Sequence, residues 1–562
     1  MWQKLHALMS RAPHTPPAGA GRTPRRVHRF TPRVESLQER LVPSTFTVTT
    51  PLDVLNAGPG QLSLRQAITQ ANQHPGADVI VLPAGVYPMQ LTGAAGVNEN
   101  ANQSGDFDIT DAVTLQGAGA ALTAIDGRQL DRVFDVFGTG PSSIKVTFQG
   151  LTVRNGRANG PGGGILVGNA DLLVRDCVVA GNATSGDGGG ISNAQAPGTG
   201  NVTLQHSTVS RNTAGGNGGG LYFGVNAQGQ GGTLTVSGST VRRNLAGSEG
   251  GGIVADTVTL TGSTVTGNRA GSYGGGIEGD TVVLTGSTVS GNTVLTVGGE
   301  GGGVYAFTVT LTGSTVSGNF AVGPGGGLFG YTVALSRSTV RGNSTGGDGG
   351  GIWAGFTATL TGSTVSGNAA GGSGGGIYAD TTATLTNSTV SGNSAGGLGG
   401  GLIAHGASLL NVTITENSAH TGGGVFGGNG TLTVHNTIIA QNFVDVTGSA
   451  PDVSGAFTSL GHNLIADPTG STGFANGVSG DHVGTAAAPL DAMLGPLQNN
   501  GGPTQTHALL AGSPAIDKGD NNAVDPVTHQ PLTTDQRGAG HPRQKDGNGD
   551  GLAMVDIGAF EL

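Results

Sequence analysis

Glycine triplets recur through the middle of this 562-residue chain and limit what it can become. They begin at Gly162, Gly188, Gly218, Gly250, Gly274, Gly301, Gly325, Gly349, Gly374, Gly399 and Gly422. Each precedes a segment close to Thr-x-Leu-Thr-x-Ser-Thr-Val-x-x-Asn. The closing asparagines, from Asn182 to Asn442, mostly fall 24 or 25 residues apart, with longer steps of 27, 30 and 32. Such a period marks a repeat architecture, in which one unit cannot bury its apolar face alone and must stack on its neighbours.

Each period carries three apolar positions. Three residues before the asparagine stands a β-branched residue, Val179 through Val390 and then Ile414 and Ile439. Eight residues before it stands Leu or Val, as at Leu260, Leu284, Leu311, Leu360 and Leu385. Most triplets are followed by a third, such as Ile253, Ile277, Val304, Leu328, Ile352 and Ile377. The Thr and Ser between them are β-compatible and suit an outward face. Glycine and threonine this dense defeat a helix, and a propeller blade needs about 40 residues. The pattern predicts an all-β fold, a right-handed parallel β-helix with three short strands per coil and neighbouring coils about 4.8 Å apart. The asparagines belong at an inward turn, bonded to one another along the axis. The glycines supply positive φ and close backbone approach at the opposite corner. Both ladders read as structural.

Composition narrows the function. The 109 glycines lack collagen's three-residue period, and 11% charged with 35% hydrophobic residues is not the signature of disorder. Cys177, alone, excludes an intrachain disulfide and a multi-cysteine metal site. Eight Lys/Arg against Glu35 and Glu39 leave residues 1–43 at +6, so the remainder carries −16 of the chain's net −10. That balance disfavours nucleic acid as a partner. No apolar run approaches the about 20 residues of a membrane helix. Residues 1–43 read as a basic, disordered leader or an export segment, without the apolar stretch of an ordinary secretory signal.

Several motifs resemble known groups. Gly274-Gly275-Gly276-Ile277 followed by Val289-x-x-Asn292 is similar to the GGAI and FxxN repeats of polymorphic outer-membrane proteins, with Val in place of Phe and no autotransporter barrel following. Arg33–Ser44 resembles an N-terminal segment of large bacterial surface proteins associated with export. Leu62-Ser63-Leu64-Arg65-Gln66-Ala67 resembles the CSLREA motif of bacterial surface β-helix proteins, with Leu for Cys and Gln for Glu. Asp106-Phe107-Asp108-Ile109 and Asp131-Arg132-Val133-Phe134 match that group's following coils. Gly495–Thr504, Gly512–Asp517, Thr534–Gly538 and Asp556–Glu561 are similar in order to the choice-of-anchor domain that ends many such proteins. The organisation expected is a leader (1–43), an N-terminal cap with a short helix near Leu62–Asn72 (44–105), the β-helix (106–465), a linker (466–493) and a domain for attachment or capping (494–562). Arg65 is expected in a buried structural pairing.

Candidate chemistry is sparse. Asp546-Gly547-Asn548-Gly549-Asp550-Gly551 has oxygen ligands at alternate positions and glycine at the sixth, as a calcium loop begins. The twelfth position is Ile557, with Asp556 one place early, so the candidate ligands are Asp546, Asn548, Asp550 and Asp556; the alternative is an acidic turn. Asp256, Asp280 and Asp380 share one position in their coils and read as turn formers. His405 and Gly461-His462-Asn463 have no evident partners. With outward positions read as chiefly Thr, Ser and Gly, no catalytic site is assigned. The expected function is a non-catalytic secreted or cell-surface protein, an adhesin or matrix component touching polysaccharide. The alternatives are a polysaccharide lyase or hydrolase, which would require a carboxylate-lined groove, and an inert spacer. Asn193–Gly200 and Val225–Gly232 lengthen two coils and read as a binding rim or tolerated insertions.

Overall fold

The structure, a computed structural model, describes residues 43–74, 76–92, 100–140, 142–193, 200–224 and 232–562. The leader up to residue 42 and most of the two insertions, 194–199 and 225–231, lie outside the described residues. From Pro43 to Leu562 the chain is one unit.

Every long-range strand pairing of the solenoid is parallel and joins one turn to the next. Ile277–Thr285 pairs with Val304–Thr312 so that Ile277 meets Val304, Val282 meets Val309 and Leu284 meets Leu311. Thr288–Ser290 pairs with Thr315–Ser317, and Thr293 with Phe320. About 14 turns stack in this way, giving sheets of 24, 16 and 12 strands. The three apolar positions of the repeat line the interior: Ile277, Leu284 and Val289 are fully buried, as are their equivalents along the axis. The division into strands differs from the expectation in one respect. The segments bearing Ile277 and Leu284 fuse into one strand that bends near Asp280, and the third wall is a two-residue strand after the asparagine.

The asparagines form the expected ladder. Nδ2 of Asn319 donates to Oδ1 of Asn343 (2.9 Å), and that oxygen also accepts the backbone N–H of Asn319 (3.0 Å). The same link runs from Asn182 to Asn442. The glycines are not across from this ladder at a separate corner; they press against it. A Cβ on Gly327 would lie 2.6 Å from the Gly351 carbonyl oxygen and 2.9 Å from Nδ2 of Asn343, so only hydrogen fits. The first glycine of every triplet has φ between +58° and +74°, a region costly for other residues. One serine per repeat also departs from the outward expectation. Ser207, Ser239, Ser263, Ser287, Ser314, Ser338, Ser363 and Ser388 are buried. Each hydroxyl accepts the backbone N–H of its counterpart one turn earlier, as Ser314 does from Ser287 (3.1 Å). Cys177 heads this column, donating its N–H to Ser207 Oγ at 3.1 Å, and burial pushes its thiol up to about 11.

The CSLREA-like motif is the start of the capping helix Leu64–Gln73. Ser63 Oγ accepts the Gln66 N–H (3.1 Å) and Gln66 Oε1 accepts the Ser63 N–H (3.1 Å), a complete capping box. Leu64, Ala67, Ile68 and Ala71 close the interior. Arg65 is buried as expected, paired to Asp53 through Nε (2.6 Å) and Nη2 (3.1 Å), and its guanidinium lies over Phe107. Solenoid pairing already begins inside the segment read as cap, where Asp78 meets Val113 and Gly85 meets Thr123. It also continues through the stretch read as linker, where Leu464 meets His482, because Asn463 and Asp481 extend the buried side-chain bonding by one turn. Residues 494–562 lie along the outer face of the 16-stranded sheet. Thr364 Oγ1 donates to the Gln505 carbonyl (2.7 Å), Thr389 Oγ1 to Gln536 Oε1 (2.6 Å), and the Ala559 N–H to Thr413 Oγ1 (3.0 Å). Among the described residues no helix is long and apolar enough to cross a membrane.

Candidate functional site

The bent strands of the 24-stranded sheet carry the chemistry that the sequence reading overlooked. Residues immediately after the buried apolar position point outward and stack turn on turn. In one column Tyr222, Val254, Glu278, Tyr305, Phe329, Trp353 and Tyr378 follow one another. At the bend, two residues on, Asp280 is followed by Phe307 and Tyr331, and then by Phe356, three residues after Trp353 because the register shifts by one there. Before the triplets, Glu249, Tyr273 and Glu300 are bridged in a third row.

The rings touch. Centroids of Tyr305 and Phe329 are 4.9 Å apart, of Phe329 and Trp353 4.2 Å, and of Trp353 and Tyr378 6.2 Å, with planes within 16° of parallel. Tyr273 joins this row at 4.9 Å from Tyr305. At the bend, Phe307–Tyr331 and Tyr331–Phe356 are 5.0 Å and 5.7 Å apart. Phe307, Tyr331 and Phe356 remain 55%, 39% and 54% exposed. Stacking turns ring faces toward each other in both rows, so what faces outward is ring edge, and the bend row carries the more exposed apolar surface.

Carboxylates border the rings at the N-terminal side. Asp256 and Asp280 stand on successive turns, and burial followed by the charge of Asp280 raises the Asp256 carboxyl above its ordinary value. Glu278 is pushed up to about 7, first by burial and then by Glu249, Asp280 and Asp256. Burial likewise raises Glu300 and pushes Tyr305 up to about 12. The outer face is therefore not merely Thr, Ser and Gly. Asp256 and Asp280, read as turn formers, belong to this group, whereas Asp380 lies at its far end beside Tyr378. The aromatic residues had a signal in the sequence: in a chain with 4% aromatics, Tyr305, Phe329, Trp353 and Tyr378 each stand two residues after the glycine triplet of consecutive repeats.

The remaining candidates are arranged as follows. Asp546 accepts the backbone N–H groups of Gly549, Asp550 and Gly551, and Asp550 accepts that of Leu552, so the loop's carboxylates serve their own turn. Asn548 Nδ2 donates to Asp550 (3.1 Å). Asp556 is buried and accepts the N–H groups of Asp517 and Leu562. The carboxylates of Asp546, Asp550 and Asp556 do not converge; among the described residues, the one acidic trio with ligand atoms all within 4.8 Å is Asp106, Asp108 and Asp135. Arg132 sits in that trio, 2.9 Å from Asp106 and 3.2 Å from Asp135. Burial pushes Asp106 up to about 7 against the pull of Arg132. His405 is exposed, and His462 Nδ1 bonds the Lys518 carbonyl (2.7 Å).

No family model matches the chain, and no curated protein does. Among the solved structures that are similar at low level are a lyase and an epimerase. The pectate lyase Pel9A is 13% identical, with 93% of this chain and 97% of that one covered and a TM-score of 0.27. The A-module of the Azotobacter vinelandii mannuronan C-5 epimerase AlgE6 is 14% identical, with 76% and 96% covered and a TM-score of 0.23. Similarity this slight carries no argument about activity or ligand.

Proposed function

We propose that the protein is a non-catalytic extracellular β-helix that holds an extended polysaccharide along its aromatic wall. The observation that carries this reading is the uninterrupted run of rings on consecutive turns, half-exposed at the bend from Phe307 to Phe356. A one-dimensional row of apolar surface suits a linear polymer better than a compact ligand, and weak contacts repeated along it add up. Tyrosine brings an apolar body and a hydroxyl together, as a sugar requires. The CSLREA-like start and the choice-of-anchor-like end support display outside the cell, as an adhesin or matrix component. The test is to incubate the purified protein with plant, algal and bacterial polysaccharides and score retained protein and released oligosaccharides together. Retention that is lost in Trp353→Ala/Phe356→Ala supports the reading. No retention on any polymer would leave an inert spacer.

A second reading, a glycan-cleaving enzyme, is favoured by Glu278, whose carboxyl titrates near 7 beside Asp256 and Asp280 as a general acid would. It requires released fragments that disappear in Glu278→Gln.

A further inference from the structure

We infer that the aromatic wall is built for a cationic polysaccharide, one carrying free amino sugars, and that it turns polyuronates away. This rests on the polysaccharide reading above and names the class of polymer.

The argument is charge placement. In the three outward rows from Asp187 to His405 there is no Lys or Arg. The arginines of these turns lie elsewhere: Arg242 and Arg341 are on the 16-stranded sheet and Arg269 on the 12-stranded one. The rows instead change from acid to ring between neighbouring turns, Glu278 directly before Tyr305 and Asp280 directly before Phe307. Glu249 and Glu300 bracket Tyr273 on either side. One turn is about 4.8 Å, so a pyranose lying with its apolar face against the exposed ring edges places a substituent within reach of the next turn's carboxylate. An ammonium there relieves the mutual repulsion of the acids. A uronate adds to it, in a place where burial and then the neighbouring acids already raise the Glu278 carboxyl. Acetylation of the amine would remove the attraction while leaving the apolar contact. Because these carboxylates are partly exposed, the attraction is screened by salt.

The experiment uses the full chain and three polymers: chitosan, its N-acetylated counterpart chitin, and polygalacturonate with and without added calcium. We expect chitosan to be retained best, chitin more weakly and polygalacturonate not at all. Chitosan affinity should fall about tenfold as salt rises from about 0.02 M to about 0.2 M. Glu278→Gln/Asp280→Asn should bring chitosan down to the level of chitin and leave chitin unchanged. Asp176→Asn/Asp491→Asn removes two acidic side chains as well, at exposed sites away from the wall, and should have no effect. If that control lowers chitosan binding as much, the attraction is general and the inference fails. Equal retention of chitosan and chitin, or retention of polygalacturonate under either condition, also overturns it while the polysaccharide reading stands. Retention of none of the three, together with no binding across the wider panel, defeats the reading itself.

Discussion

A single asparagine in the ladder makes more bonds than its size suggests. Asn343 accepts two N–H bonds from Asn319 and donates to Asn368 Oδ1 (2.9 Å) and the Val316 carbonyl (3.1 Å), all buried. Asn343→Ala takes a partner from the Asn319 N–H, the Asn319 side-chain amide and the Val316 carbonyl, all buried on the preceding turn, groups that cost about 1–3 kcal/mol each when left unsatisfied. The loss of stability in denaturant unfolding should therefore exceed the about 1 kcal/mol of one ordinary hydrogen bond. Glu278 makes a prediction of opposite kind. Its folded carboxyl titrates near 7 rather than 4.5, so the folded state holds a proton that the unfolded chain gives up. That contribution is whole below 4.5 and disappears as pH rises through about 7. Glu278→Gln, unable to ionise, should lose less stability than the parent across that window, as thermal melts at stepped pH will show.

At the level of elements, the C-terminal segment is held together internally by a small set of charges. Glu561, Asp556 and Asp535 gather near Arg543 and Arg537, and burial pushes Glu561 up to about 8 against the pull of Arg543. The segment's own packing is thus strongest below the ordinary glutamate value of 4.5 and weakens as pH rises to about 8. Limited proteolysis within 494–562 should accelerate over that range while the coils stay resistant, and Glu561→Gln should blunt the change. The position of this segment was not legible in the sequence. Its motifs could be recognised, but that Gln536 bridges Thr364 and Thr389 depends on a meeting of residues far apart in the chain. The coils were legible because each repeat states the same rule again, so Val289, Leu284 and Ile277 declare their inward direction many times over. The serine column was misread because Ser and Thr suit either face of a strand, and only the bond from Ser287 N–H to Ser314 Oγ decides for the interior. The aromatic wall went unseen because outward positions vary from repeat to repeat, and its meaning appears when Tyr305, Phe329 and Trp353 are stacked.

Across the whole molecule, contacts link each turn chiefly to its neighbours, so turns should be removable as units. Deleting residues 320–343 joins Asn319 to Ser344 and removes one full period of 24. The shortened protein should fold, keep its β-sheet circular dichroism per residue, and lose about 4.8 Å of length in X-ray scattering. Repetition of this kind has no inherent end, and the two interior ladders show how one is imposed. Every link hands a donor toward the later turn. The asparagine row stops where Asn442 donates to Asp452 (2.8 Å), and the serine row, resumed at Thr437, stops where Asn463 donates to Asp481 (3.1 Å). A carboxyl oxygen takes what it is handed, and aspartate, unlike asparagine, has no amide hydrogen to pass to a further turn. The two aspartates are full stops in a sentence that could otherwise be extended indefinitely, by another turn or by the end of a second molecule.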